Sequence, residues 1–475
     1  MTTTMAGTFS FSEELHTEFA KLSGDWNPMH MSAVLARRTQ SGRPVVHGIH
    51  TVLRAMDVFA ASSAGVPLPS KLTVRFPAPV YLNDVIEIHK VDSPDQLRLQ
   101  ARVDGMNTAD LRMVLSNSER SSVDFGEPAL DAHVVCRELS LAEMKDRSGT
   151  VRPASTLNEI NKQFPNAAKW IGVERVAALL CLSRLVGMEC PGLHSLFSGF
   201  TVEFPREATP LSLQYHVATA DDHFRLLKID VHGLGVRGSV EAFARHPPVS
   251  QTSLKDLSAL VKPKEFLDQR ALIIGGSRGL GELTAKLIAA GGGCPVITYA
   301  VGKEDAEHVA AEIKERGANC ETLKYDVRAP ADEQLKSLSK PVSQLYYYAT
   351  CQIFGRRTRE FDSTTLDEFL EFYVRGFYDL CAALRESGKP GVSVFYPSSV
   401  AIDERPRNMT EYSMAKAAAE ILCADLNRSW PNIHIETVRL PRLQTDQTST
   451  VAPVENANSA NTILPIVRRV QGFRF

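Results

Sequence analysis

From Arg270 onward, short apolar runs alternate with segments of helical period: "ALIIGG", "PVITYA", "VSVFYPSS" and "IHIETVRL" are separated by stretches such as "GELTAKLIAAGG". Short apolar runs read as buried strands, and the intervening pattern reads as helix. Parallel strands need a crossover long enough to hold a helix, so this alternation predicts βαβ units and a parallel sheet. On the amino-terminal side the pattern stops. "ARHPPVSQTSLKDLSALVKPKEFLDQR" holds Pro247, Pro248 and Pro263 around one short amphipathic piece, as a linker does.

The chain has 475 residues, enough for about three domains at roughly 100 to 200 residues each. Its 53 basic and 55 acidic side chains leave a net charge of −2, so no overall field recruits nucleic acid or an anionic membrane. The pair Arg37 and Arg38 reads as a solvated face. Eight cysteines are scattered without a CxxC pair or Cys/His metal spacing, which argues for free thiols in a reducing compartment and against structural zinc. The start "MTTTMAGTFSFSEEL" lacks the features of a leader, and no run approaches the ~18 apolar residues of a membrane span. A cytoplasmic protein is expected.

Sliding the chain on itself by 128 positions lays "SKLTVRFPAP" from Ser70 on "SGFTVEFPRE" from Ser198, and "HGIHTVLRAMDVFA" on "RVAALLCLSRLVGM". The first pair shares Ser, Thr-Val and Phe-Pro; the second shares pattern. Ile49, Val52, Leu53, Met56 and Phe59 keep the helical period, whereas Val176, Leu179, Leu180 and Leu182 to Val186 keep it less cleanly. Each copy reads as one long helix, a loop, and strands ending at a Phe-Pro edge. A duplicated helix-plus-sheet domain is expected.

"SGDWNPMH", Ser23 to His30, sets a carboxylate and an imidazole on either side of an Asn-Pro bend. A loop bent at Asn27-Pro28 can aim Asp25 and His30 at one point, whereas the same spacing on a helix would splay them. Taken alone, such a pair is more often a cap and a surface imidazole. The frame around it says more. Phe19, Ala20, Ser23, Gly24, Asp25, Asn27, Pro28, His30, Val46, His47 and Gly48 resemble the signature of the MaoC-like (R)-specific enoyl-thioester hydratases, with Ser32 departing where an Asp often follows. The resemblance implies a hotdog fold, a catalytic dyad of Asp25 and His30, and an oxyanion donor at Gly48. Hydrating an enoyl thioester needs a base for water, an acid for the α-carbon and N–H dipoles for the enolate, and these residues could supply them. His47 and His50 read as structural or substrate-lining, and His194 as structural. At the repeat offset the dyad falls on Pro153 and Asn158. The second copy should therefore lack it, completing the core and shaping the acyl tunnel.

"ALIIGGSRGLGELTAKLIAAGG", with Ser399 ending a strand, Tyr412 after it and Lys416 one helical turn later, resembles the short-chain dehydrogenase/reductases, most closely their 3-ketoacyl reductases. The resemblance gives Gly275, Gly279 and Gly281 the dinucleotide turn and makes Gly275, Ser277, Arg278, Gly279, Leu280, Gly281, Asp326, Tyr412 and Lys416 the cofactor contacts. Tyr412 would protonate a ketone held by Ser399, with Lys416 stabilising the phenolate and holding the nicotinamide ribose. "VITYAVGKED" offers no acid for a ribose hydroxyl before Glu304, and Arg278 could meet a 2′-phosphate, so NADPH is expected rather than NADH. Departures are Ile274 before the first glycine, Tyr347-Tyr348-Ala349-Thr350, Tyr373 at the proton-relay asparagine, and Pro441-Arg442.

The expected fold is an α+β double hotdog, two helix-wrapped antiparallel sheets, followed by an α/β Rossmann-type doubly wound parallel sheet. The domains would be 1–118 (hotdog with the dyad), 119–249 (hotdog without it), 250–268 (linker) and 269–475 (nucleotide-binding). One half would reduce a 3-ketoacyl thioester and the other dehydrate the alcohol to the trans-2-enoyl thioester, or run the reverse hydration; tethering raises the local concentration of the shared intermediate. The partner is an acyl thioester of coenzyme A or of a carrier protein. No metal is expected, and a homo-oligomer stays open. Two alternatives remain: a hydratase with a non-catalytic nucleotide domain, and a module that binds acyl and nucleotide ligands without reaction.

Overall fold

The computed structural model of the chain describes residues 3–63, 65–93, 96–116, 127–131, 135–355, 361–386, 391–451 and 454–472. These form two compact units, Met1–Pro247 with Thr450–Val454, and Pro248–Ser449 with Glu455–Phe475. The expected boundary at 118/119 lies outside the described residues.

The first unit is built on a ten-stranded sheet in the order β1-β3-β4-β5-β2-β7-β10-β9-β8-β6. Its strands are β1 (Thr3–Phe9), β2 (Leu68–Arg75), β3 (Ile86–Val91), β4 (Leu97–Val103), β5 (Met106–Ser116), β6 (Ser148–Val151), β7 (Ser195–Glu203), β8 (Leu213–Ala220), β9 (Leu226–Gly233) and β10 (Val236–Ala244). Neighbours are antiparallel throughout. The order is mirrored about the β2/β7 pair. There Thr73 faces Thr201, Leu72 faces Val202 and Val74 faces Phe200. Thr201 Oγ1 donates to Thr73 Oγ1 at 3.2 Å, and the two threonines are 128 positions apart, the offset of the sequence repeat. The repeat axis therefore passes through the centre of the sheet.

Two long helices pack against this sheet: α3 (Gly48–Ser62), after the short α1 (Glu13–Ser23) and α2 (Pro28–Met31), and α4 (Val173–Arg184). Ile49, Val52, Leu53, Met56 and Phe59 of α3 are buried, as an amphipathic stripe requires. On α4, every residue from Arg175 to Arg184 is buried, which explains its blurred period: a helix enclosed on all sides has no polar face to preserve. It runs into a π-helical segment, Leu185–Glu189.

The second unit is a six-stranded parallel sheet, β13-β12-β11-β14-β15-β16. It comprises β11 (Arg270–Ile274), β12 (Cys294–Tyr299), β13 (Glu321–Lys324), β14 (Gln344–Tyr347), β15 (Val392–Ser399) and β16 (Ile433–Leu440). This is the doubly wound order, whose direction reverses between β11 and β14 and leaves a crevice at the carboxyl ends of those strands. The helix α5 (Gly279–Ala290) opens on that crevice, and α6 (Thr410–Ser429) precedes β16. The segment 250–268, read as a linker, instead buries Leu254, Leu257, Val261 and Phe266 in the core of this unit. Its amphipathic period served packing, not separation.

Candidate active sites

In the first unit the Asn-Pro bend is a helix start. Asn27 Oδ1 accepts from Met29 N at 2.9 Å and Pro28 takes the first turn of α2, where its missing N–H costs nothing. Asn27 is fully buried, and its Nδ2 donates to the carbonyls of Gly187 at 2.7 Å and Gly192 at 3.1 Å. The loop is thus pinned to the π-helical segment of the other half. Asp25, His30 and His47 then come together, with one donor atom of each lying within 4.8 Å of the others.

Each imidazole is held by a backbone carbonyl. His30 Nδ1 lies 2.7 Å from Val45 O, and His47 Nε2 lies 3.0 Å from Asp25 O. A ring nitrogen facing a carbonyl must carry the proton, so His30 presents a bare Nε2. His16, also buried, donates from Nε2 to His30 O at 3.0 Å. His47 and His50 are buried as well, and His194 pairs with Glu138 at 3.1 Å. The rings of His30 and His47 stack, centroids 3.9 Å apart and planes 26° from parallel.

The Asp25 carboxylate receives Ser183 Oγ on Oδ2 at 2.7 Å and Asn27 N on Oδ1 at 3.2 Å. Burial raises its pKa against the opposing pull of His30, Ser183 and the Asn27 amide. His30 moves the other way: burial lowers it, Asp25 and the Val45 carbonyl raise it in part, and Arg245 lowers it further. A Cβ on Gly187 would lie 2.2 Å from Asp25 Oδ1, so only a glycine leaves room for the carboxylate. Gly48 begins α3 with no side-chain cap, leaving first-turn N–H groups for a ligand, and Phe76 lies 2.9 Å from where its Cβ would stand. At the positions matching the dyad, the second half has a buried Pro153 and an exposed Asn158.

In the second unit, Gly275 and Gly279 take positive φ, 74° and 59°, and a Cβ on Gly281 would meet Gly275 O at 2.3 Å. The turn can exist only with glycine at these points, and it delivers backbone N–H groups at the start of the twelve-residue α5. Ser277 is buried and Leu280 packs beside the core. Arg278 donates to the buried Asp446 at 3.0 Å, so a phosphate would share the guanidinium with a carboxylate. Asp326 is held by Arg328, with bonds of 3.0 and 2.8 Å, and lies below the usual carboxylate range on that account.

Ser399 closes β15, and α6 sets Tyr412 and Lys416 beside it. Burial raises the Tyr412 phenol while a hydrogen bond with Ser399 lowers it. Lys416 Nζ donates to Pro397 O at 2.8 Å, and burial brings its pKa down to about 7. Tyr373 stands in a second π-helical segment, Glu371–Arg375, a local widening frequent at functional sites. The carbonyls of Phe372 and Tyr373 accept from Tyr347 at 2.5 Å and Tyr396 at 3.1 Å.

Sequence reasoning missed Ser183, Gly187 and Tyr396. Gly187 alone carried a signal, an isolated glycine inside a helical pattern.

Two different families match two separate stretches of the chain. Residues 2–109 match the MaoC like domain, and residues 269–456 match the short chain dehydrogenases. The chain thus joins a MaoC-like dehydratase domain to a short-chain dehydrogenase domain. Among curated proteins it is similar to the 3-hydroxybutyryl-CoA dehydratase of Methylorubrum extorquens, 35% identical over 74 residues, 15% of this chain and 45% of that protein. It spans less than half the length of that relative. It is also similar to the uncharacterized oxidoreductase YmfI of Bacillus subtilis, 26% identical over 210 residues, 42% of this chain and 86% of the relative. A solved short chain dehydrogenase from Burkholderia cenocepacia in complex with NADP shares 24% identity, with a TM-score of 0.35 over 42% of this chain and 82% of that one. Among the described residues no helix is long and apolar enough to cross a membrane.

Proposed function

We propose that the chain is a bifunctional acyl-thioester enzyme, coupling NADPH-dependent reduction of a 3-ketoacyl thioester to (R)-specific dehydration of the 3-hydroxyacyl product, or to the reverse hydration. We also infer that the ten-stranded layer is a double hotdog with one active site, over 1–118 and 119–249. The observation that carries the dehydration is the meeting of Asp25 and His30 donor atoms within 4.8 Å around a buried carboxylate.

In hydration, His30 Nε2 takes a proton from water as its oxygen attacks the β-carbon, and Asp25 delivers a proton to the α-carbon. Dehydration reverses both transfers. The opposite shifts of the two groups suit this division: lowering the imidazole favours the neutral base, and raising the carboxyl favours the protonated acid. The amide of Gly48, at the positive end of a fifteen-residue helix, would hold the enolate oxygen. The coenzyme A named for the dehydratase relative supports a coenzyme A thioester as substrate.

The glycine turn fits a dinucleotide: Gly275, Gly279 and Gly281 leave space, the start of α5 offers N–H groups, Ser277, Arg278 and Leu280 would contact it, and Asp326 would meet the adenine. When bound, a reduced nicotinamide supplies hydride. Ser399 holds the ketone oxygen, Tyr412 protonates it, and Lys416 binds the ribose. Arg278 favours NADPH over NADH.

The test is incubation with a 3-ketoacyl-coenzyme A and NADPH, following cofactor oxidation and enoyl absorbance together. Asp25→Asn should abolish only the enoyl signal, and Tyr412→Phe should abolish the reduction while leaving hydration of added enoyl thioester intact. Absence of cofactor oxidation in the unaltered protein, with hydration retained, would favour the hydratase-only alternative.

A further inference from the structure

Lys416 is a buried lysine with little polar company. Among the described residues its one hydrogen bond goes to the carbonyl of Pro397 at 2.8 Å. Three aromatic rings stand near it: Nζ lies 3.9 Å from the ring centroid of Tyr373, 4.9 Å from that of Tyr396 and 6.0 Å from that of Tyr412. The Tyr373 ring is fixed in place. It stacks on Phe369 with planes 9° apart, its hydroxyl meets Thr350 Oγ1 at 2.5 Å, and its own carbonyl is tied to Tyr396.

The titratable groups around Lys416 are Tyr412, Glu420 and Cys423 on its own helix, Tyr396 on β15, Tyr373 on the π-helical segment and Cys351 after β14. Glu420 is already engaged by Arg439 at 2.6 Å and by Ser398 at 2.5 Å. Burial pushes the Cys423 thiol up to about 12 and raises the Tyr373, Tyr396 and Tyr412 phenols, so none of these offers an anion near neutrality. A ring face does offer negative potential, and more of it where water is excluded.

We propose that Tyr373 is a positioning residue of the reductase site that works through the face of its ring, holding the charge on Lys416, while its hydroxyl only adds to the stacking on Phe369 that orients the ring. This rests on reading Tyr412 and Lys416 as the reductase pair. Burial already brings Lys416 down to about 7, and removal of the ring's attraction would shift it further toward the neutral amine. The position read as a lost relay asparagine is then a replacement.

The test is an NMR titration of the Lys416 Cε/Nζ signals in full-length protein labelled in lysine, without cofactor, the resonance being assigned by its loss in Lys416→Arg. Tyr373→Phe should leave the midpoint in place. A 3,4,5-trifluorophenylalanine at 373, of nearly the same shape but with a depleted ring face, should lower it by about one pH unit. Near-ultraviolet circular dichroism checks that both variants keep the fold. An unmoved midpoint in the fluorinated protein, or an equal fall in Tyr373→Phe, overturns the proposal. In turnover, the alkaline limb of ketone reduction should fall with the midpoint. Expected titrations without turnover in any variant would sustain the ring's role while refuting the reductase reading.

Discussion

Ser183, on the half of the first unit that carries Pro153 and Asn158 at the offset of the dyad, donates a 2.7 Å hydrogen bond to Oδ2 of Asp25 on the other half. The second half therefore enters the candidate site directly. A hydrogen bond to an ionised group contributes about 1.5–3 kcal/mol, and it favours the carboxylate over the acid.

Ser183→Ala should therefore raise the Asp25 pKa by about one unit. In a bell-shaped hydration profile, loss of the Asp25 proton sets the alkaline limb, which moves up; the acid limb, set by His30 below its ordinary 6.5, stays put. The maximal rate should fall about tenfold, and Ser183→Thr should recover part of it. Rates of enoyl thioester loss across pH measure all three.

Gly187→Ala puts a methyl group 2.2 Å from Asp25 Oδ1. A displacement of about 1 Å at a reacting group can cost on the order of a hundredfold, so hydration should fall by that much while ketone reduction is unchanged. Paired assays on one preparation test this.

Gly281→Ala drives a Cβ to 2.3 Å from the carbonyl of Gly275. The turn would have to open, at about 1–3 kcal/mol. NADPH binding, followed by its fluorescence, should weaken at least tenfold, with hydration preserved.

Thr73→Val with Thr201→Val removes the hydroxyl contact at the centre of the sheet. Cross-strand pairs contribute only about 0.2–1 kcal/mol, and the neighbouring pairs from Lys71↔Glu203 to Arg75↔Gly199 keep the register. The melting temperature should shift by no more than a few degrees.

The sequence disclosed what local rules govern. Alternating runs announced the parallel sheet, and Thr73 and Thr201 sat at the repeat offset because they share an axis. The meeting of Asp25 and His30 was visible because a bend and the two groups it brings together are contiguous in the chain. Ser183 and Gly187 were not visible: they reach Asp25 across more than 150 positions, and nothing in "CLSRLVG" names the carboxylate they face. The segment 250–268 misled for a related reason, since amphipathic spacing does not tell a linker helix from one docked on its own domain. Tyr373 read as a loss because sequence shows what replaced an asparagine but not that the ring lies over an ammonium group.

The mirrored sheet divides labour unevenly between its halves. A lesion at Ser183 or Gly187 would slow the proposed hydration without touching its proposed acid or base, so the half that lacks the dyad is not free to drift. Selection on the hydration step would hold both copies to one standard.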